Sequence, residues 1–183
     1  MELFTFKQFD ELYTKALHTR SGSASLQLTE HIGIFIEGSS QEIFVEVNEI
    51  YNGEWIPFDN SSDYTDFDPM DNGIDFDWVY RDICASIKVL MEDLSLDIRA
   101  HKLVEYIAFA RDEYSGMLTR KINDRVGMII ETYEDCKDVL ISIEEIVDGE
   151  WEHIDGVVEE VSSKRMPYGL CIRLQQIIDS IKR

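Results

Sequence analysis

Positive charge is what this chain has least of. Lys and Arg number 17 against 37 Asp and Glu, for a formal net charge of −20 over 183 residues. Binding nucleic acid as a general ligand depends on Lys and Arg displacing counterions from phosphate, and anionic bilayers attract polybasic segments. Neither partner suits this composition. Cysteine is scarce as well: Cys84, Cys136 and Cys171 are odd in number and far apart. Two of them fall in apolar helical patterns, where a reduced, buried thiol is expected, and the cysteine usage fits a cytoplasmic protein. No apolar run reaches the roughly 18 residues a membrane span needs. Met1–Lys7 lacks a basic stretch followed by an apolar one, so no signal peptide is expected there.

Catalytic signatures are missing too. There is no GxSxG, GxxxxGK[ST] or GxGxxG. His18, His31, His101 and His153 form no HxxxH or HExxH pair and none is near a cysteine. Zinc sites need such clustering, so surface or edge histidines are expected. Acids are too plentiful for two of them to be singled out as a general acid and base. The expectation is a protein that is not an enzyme and uses no cofactor.

What is present suffices for a folded core. Hydrophobic residues make up 44% and aromatics 11%, enough apolar material to offset chain entropy. The chain also resembles itself. At an offset of 94, Ser21-Gly22 meets Ser115-Gly116, Ile32-Gly33 meets Val126-Gly127, and Ile36-Glu37 meets Ile130-Glu131. At an offset of 96, Ile43–Trp55 meets Val139–Trp151, with Asn52-Gly53 facing Asp148-Gly149.

Each copy reads as helix, three strands, helix. The helices are expected at Lys7–Arg20, Trp78–Leu94, Asp97–Tyr114 (with Asp97 as N-cap) and Tyr168–Arg183. The strands are expected at Ile32–Glu37, Ile43–Tyr51 and Glu54–Phe58, then at Val126–Thr132, Val139–Val147 and Glu150–Ile154. Asn-Gly and Asp-Gly are pairs favoured in type I′ hairpins. The predicted fold is α+β: two tandem αβββα units from an internal duplication, each a three-stranded antiparallel sheet packed by helices. The first unit spans 1–95 and the second 96–183. Trp55 and Trp151 occupy equivalent strand positions and are expected in the core. The order αβββα also occurs in double-stranded RNA-binding domains, but those reach RNA with basic and polar groups, which this chain replaces with acids.

The copies differ most at residues 59–77, a loop with seven aspartates and no base. Three readings stand side by side: a solvated acidic loop whose aromatics tuck onto the domain, a partner-binding surface, and a calcium loop. The calcium register fails, because a count from Asp66 puts Met70 at position 5 and Gly73 at position 8. As a partner surface it would use Asp63, Tyr64, Asp66, Phe67, Asp68, Asp71, Asp75 and Asp77. Carboxylates two residues apart in extended chain lie about 6.6 Å apart, on the order of phosphate spacing, and Tyr64 and Phe67 would act as anchors. Charge is unevenly divided in the same sense. Residues 1–95 hold 19 acids and five bases, and residues 96–183 hold 18 and 12.

The hairpin Ile43–Phe58 with its Asn52-Gly53 turn, followed by the acidic segment Asp63–Asp77, resembles the acidic anti-CRISPR proteins of phages and mobile elements that inhibit type II (Cas9) effectors. One group of those is a single small acidic domain of a helix, a three-stranded antiparallel sheet and further helix, and each half of this chain is similar to that layout. The resemblance implies an inhibitor in the cytoplasm of a bacterial host cell. It would bind the basic nucleic-acid-binding surface of a Cas9-type nuclease and block DNA recognition or cleavage, since such effectors read their PAM with arginines and hold the heteroduplex in a positive channel. An immunity or antitoxin protein neutralising a basic toxin nuclease, and a non-catalytic acidic adaptor, are the alternatives.

Overall fold

The computed structural model describes residues 3–38, 43–58, 62–64, 76–113, 115–133, 138–160 and 168–181. The chain divides into two compact units, Met1–Glu92 and Asp93–Arg183. Both are α+β, with helices before and after an antiparallel sheet.

The first unit runs α1 (Phe6–His18), β1 (Ser23–Gln27), β2 (Ile32–Gly38), β3 (Ile43–Tyr51), β4 (Glu54–Pro57), β5 (Ser62–Tyr64) and α2 (Phe76–Asp93). Its sheet order is β1-β2-β3-β4, with β5 also paired to β3. The second unit runs α3 (Ala100–Asp112), β6 (Met117–Lys121), β7 (Val126–Thr132), β8 (Asp138–Val147), β9 (Glu150–Glu160) and α4 (Tyr168–Ile181), with sheet order β6-β7-β8-β9. The registers correspond: Ser23 pairs with Glu37 as Met117 does with Glu131, and Ile50 pairs with Trp55 as Ile146 does with Trp151.

The expected three-stranded sheet is therefore corrected to a four-stranded path in each unit. The strands missing from the sequence reading are β1 and β6. Each is a five-residue edge strand with too few apolar residues to show an alternation: only Ala24 in β1 and Leu118 in β6 are buried. Each is entered through a glycine of positive φ, Gly22 at 72° and Gly116 at 64°. The carbonyls of these glycines accept from the Gly38 and Thr132 amides at 2.8 and 2.7 Å. The Ser-Gly repeat at offset 94 thus marks how each edge hairpin begins.

The hairpin turns follow the sequence. Asn52 and Asp148 both have φ 52°, and Gly53 and Gly149 have φ 84° and 88°, as a type I′ turn requires. β9 is longer than expected, because a register shift at Ile143/Glu144 lets it follow β8 to Glu160. In the first unit the same edge of β3 is filled in two pieces. β4 covers Asn48–Tyr51 and β5 covers Ile43–Val45, so Ser62–Tyr64 are strand rather than loop.

Alternation in the strands fixes the inner faces. Ile32, Ile34, Ile36, Ile43, Val45 and Val47 are buried, as are Phe9, Leu12 and Ala16 of α1 and Val79, Ile83, Ile87 and Leu90 of α2. Thr5 closes the start of α1 with a capping box to Gln8. Tyr80 packs against Phe4, Phe6 and Phe9, and its hydroxyl donates to the Phe4 carbonyl at 3.1 Å. The second core holds Leu103, Ile107, Met128, Ile130, Ile141 and Leu174.

Asp97 is not the α3 N-cap. Arg99 takes that position with no side-chain bond, and the fully buried Asp93 carboxylate accepts from the Ala100 amide at 3.0 Å. Asp97 instead forms a reciprocal pair with Gln175 of α4, both bonds at 2.8 Å. His101 is also corrected: at 8% exposure it is buried, not a surface histidine. Cys171 is buried beside Asp93. Burial and then that carboxylate push its thiol well above the usual range, so it stays a neutral, inert thiol. Cys84 is half-buried, and Cys136 lies outside the described residues. No described helix is long and apolar enough to cross a membrane.

Candidate partner-binding surface

Burial of the inward residues of β2 and β3 sends the alternate ones to the other face. Those are Phe35 and Glu37 on β2 and Phe44 and Glu46 on β3. Register sets Phe35 opposite Glu46 and Glu37 opposite Phe44. The result is a two-by-two checkerboard of rings and carboxylates, with directly opposed residues about 5 Å apart at Cβ. The rings meet on the diagonal, centroids 6.4 Å apart and planes at 67°. On the β1 side the directly opposed residues are small, Ser25 opposite Phe35 and Ser23 opposite Glu37. On the other side Asp63 of β5 is in register with Phe44. A single row of the sheet therefore reads Ser23, Glu37, Phe44, Asp63. The outward positions of β1 to β4 include no Lys or Arg.

Glu46 carries the electrostatic consequence. It is half-buried between the aromatic neighbours, and burial raises its carboxyl above the ordinary range. Among the described residues no cation pairs with it. The folded chain therefore holds the Glu46 proton more tightly than the unfolded chain. Stability from this group is present below the unfolded pKa and is lost as pH rises through the folded one. Glu46→Gln is expected to make the first unit more stable than wild type at pH 7, with the difference shrinking as pH falls toward about 4, the unfolded value. Urea unfolding of both proteins at pH 7 and pH 5 measures this. A gap that widens on acidification would contradict it.

Beside the checkerboard lies Trp55. It pairs with Ile50 and reaches across β3 to Gly33, where an added Cβ would sit 2.3 Å from the ring. Trp151 covers Gly127 in the same way, at 2.2 Å. Both indoles are 37% exposed. They are outer-face lids over glycines and not the core residues expected from sequence. The type I′ turn puts each on the outward side of its strand, and the missing Cβ leaves the ring a flat bed.

The second sheet has the same frame with different side chains. At the positions of Phe35, Glu37, Phe44 and Glu46 it carries Ile129, Glu131, Leu140 and Ser142. Val158 is in register with Leu140, where the first unit has Asp63 beside Phe44. Glu144, 6% exposed, meets His153 at 3.0 Å. The ring–carboxylate pattern thus belongs to the first unit alone among the described residues.

Of the residues singled out in the acidic segment, Asp63, Tyr64 and Asp77 are among the described ones. Asp63 and Tyr64 lie on β5, paired to Phe44 and Ile43. Asp77 is exposed in the first turn of α2 and pairs with Arg81 at 3.5 Å. Its charge there suits the helix N-terminus. Asp66, Phe67, Asp68, Asp71 and Asp75 lie outside the described residues. Among the described residues no three His, Cys, Asp or Glu side chains gather to hold a metal ion. Sequence reasoning missed Phe35, Glu37, Phe44 and Glu46. The available signal was the comparison of the two copies at outward strand positions, where Phe stands against Ile or Leu and Glu46 against Ser142. Comparison with family models, curated proteins and solved structures returns no match.

Proposed function

We propose that this chain is a non-catalytic acidic inhibitor that binds the basic nucleic-acid-binding surface of a nuclease through its first unit. The observation that carries the reading is the outer face of the first sheet, where carboxylates alternate with rings and no base intervenes. Carboxylates there meet arginines by charge-assisted bonds, and the rings add desolvated contact area. The −20 net charge steers encounter with a positive channel, at a rate that falls with salt. A Cas9-type effector in the bacterial cytoplasm is the target favoured by the resemblance in charge and element order. A basic toxin nuclease is the second reading. The same charge complementarity to a basic groove supports it. We also infer that the two units descend from a tandem duplication, supported by their matching registers.

The test is nuclease inhibition by the purified chain, run on a Cas9-type effector and on a panel of basic toxin nucleases. In the same assay, Asp63, Asp66, Asp68, Asp71, Asp75 and Asp77 are changed together to Asn. Inhibition of one target, weakened about tenfold or more by the block substitution, is the expected result. Unchanged inhibition removes the acidic segment from the interface. No inhibition of any nuclease removes the reading.

A further inference from the structure

We infer that the checkerboard Phe35–Glu46/Glu37–Phe44 reads arginine, and that its occupant is an extended segment of the partner with arginines at alternate positions. The inference rests on the proposed partner-binding role of the first sheet. Each cross-strand row holds one ring and one carboxylate, which is the pair of surfaces a guanidinium uses at once: a π face to stack on and an acceptor for its N–H fork. An ammonium uses the acceptor but loses the stacking. The two rows are successive same-face positions of β2 and β3, so they lie about 6.6 Å apart. That spacing matches residues i and i+2 of an extended chain. The rows run in opposite order, ring then acid and acid then ring, so neighbouring guanidinium groups are held on the diagonal rather than side by side.

Charge complementarity selects this occupant over a second copy of the chain. Residues 1–95 carry a net charge of −14, and two such faces would oppose carboxylate to carboxylate. Glu46 supports the same choice: it is partly desolvated and has no described counter-ion, so an incoming guanidinium relieves a cost the fold already bears. The second sheet lacks both the rings and the second acid.

The experiment titrates the full chain with fluorescein-labelled nonapeptides of equal charge carrying Arg-x-Arg, Lys-x-Lys or Arg-x-x-Arg, by fluorescence anisotropy at 0.15 M salt. Arg-x-Arg is expected to bind about tenfold tighter than either of the others. The double variant F35A/F44A should erase that preference while keeping the wild-type circular dichroism spectrum. Equal affinity for the three peptides overturns the inference, as does a preference that survives in the folded double variant. A concentration-dependent dimer in analytical ultracentrifugation that the double variant abolishes assigns the face to a second copy and also overturns it. The nuclease reading fails separately. Arginine preference without inhibition of any nuclease removes that reading and leaves the surface, and inhibition without preference does the reverse.

Discussion

Gly116→Ala is expected to destabilise the second unit by about 3 kcal/mol. Two costs act together. Gly116 has φ 64°, in the left-handed region, where a side chain costs about 1–2 kcal/mol. An added Cβ would also lie 2.5 Å from the Thr132 carbonyl oxygen, a backbone atom with nowhere to go. Thr132 is held in place, since its amide donates to the Gly116 carbonyl at 2.7 Å and its hydroxyl lies 3.4 Å from the Ala110 carbonyl at the end of α3. Moving one group disturbs the junction of α3, β6 and β7. For a unit of this size each kcal/mol shifts Tm by about 4–8 °C, so a drop of roughly 12–24 °C is expected.

The equivalent change in the first unit separates the two costs. Gly22 has φ 72°, but a Cβ there would meet the Gly38 carbonyl at 3.4 Å, an ordinary contact. Gly22→Ala should therefore cost only the conformational part, about 1–2 kcal/mol. In a W55F/W78F background Trp151 is the sole tryptophan, and its fluorescence follows the second unit alone during thermal unfolding. Equal losses for the two variants, each measured in its own unit, would show that the carbonyl contact contributes nothing.

These glycines also show how much of the fold was legible. Ser-Gly at offset 94 was visible in the sequence, but its meaning was not. A glycine announces a turn without saying that an edge strand follows, and Ser23–Gln27 buries too little to display a period. The buried strands β2, β3, β7 and β8 were readable because apolar residues, isoleucine and valine in all but Met128, recur at every second position. The hairpins were readable because Asn-Gly and Asp-Gly have few other uses. Trp55 and Trp151 take the outer face because each pairs across its turn with a residue of outward parity, Ile50 or Ile146, which the letters alone do not display. The charge excess of the first unit was plain from composition. The place of its strand carboxylates Glu37 and Glu46 was not, because register converts separated letters such as Phe35 and Glu46 into neighbours only once the strands are paired.

The same register makes the second sheet a control for the first. Replacing Phe35, Phe44 and Glu46 by Ile, Leu and Ser gives the outer face of β2 and β3 the residues that β7 and β8 carry at those positions. The fold should tolerate this. The β-branched and aliphatic replacements suit a strand, and loss of half-buried ring area is offset by removal of the desolvated Glu46 carboxylate, leaving stability within about 1 kcal/mol. Binding should not tolerate it. Two anchoring rings and one acceptor are lost from adjacent positions, and a fall of about 100-fold in affinity for the Arg-x-Arg peptide is expected. The reciprocal exchange, I129F/L140F/S142E/V158D, rebuilds the full row on the second sheet, where Glu131 already stands in the place of Glu37. It should raise the stoichiometry in isothermal titration calorimetry from one peptide per chain to two, and the two exchanges combined should return it to one. A stoichiometry that stays at one in the reciprocal variant, with its sheet intact by circular dichroism, would mean that ring, carboxylate and register together are not sufficient to make the site.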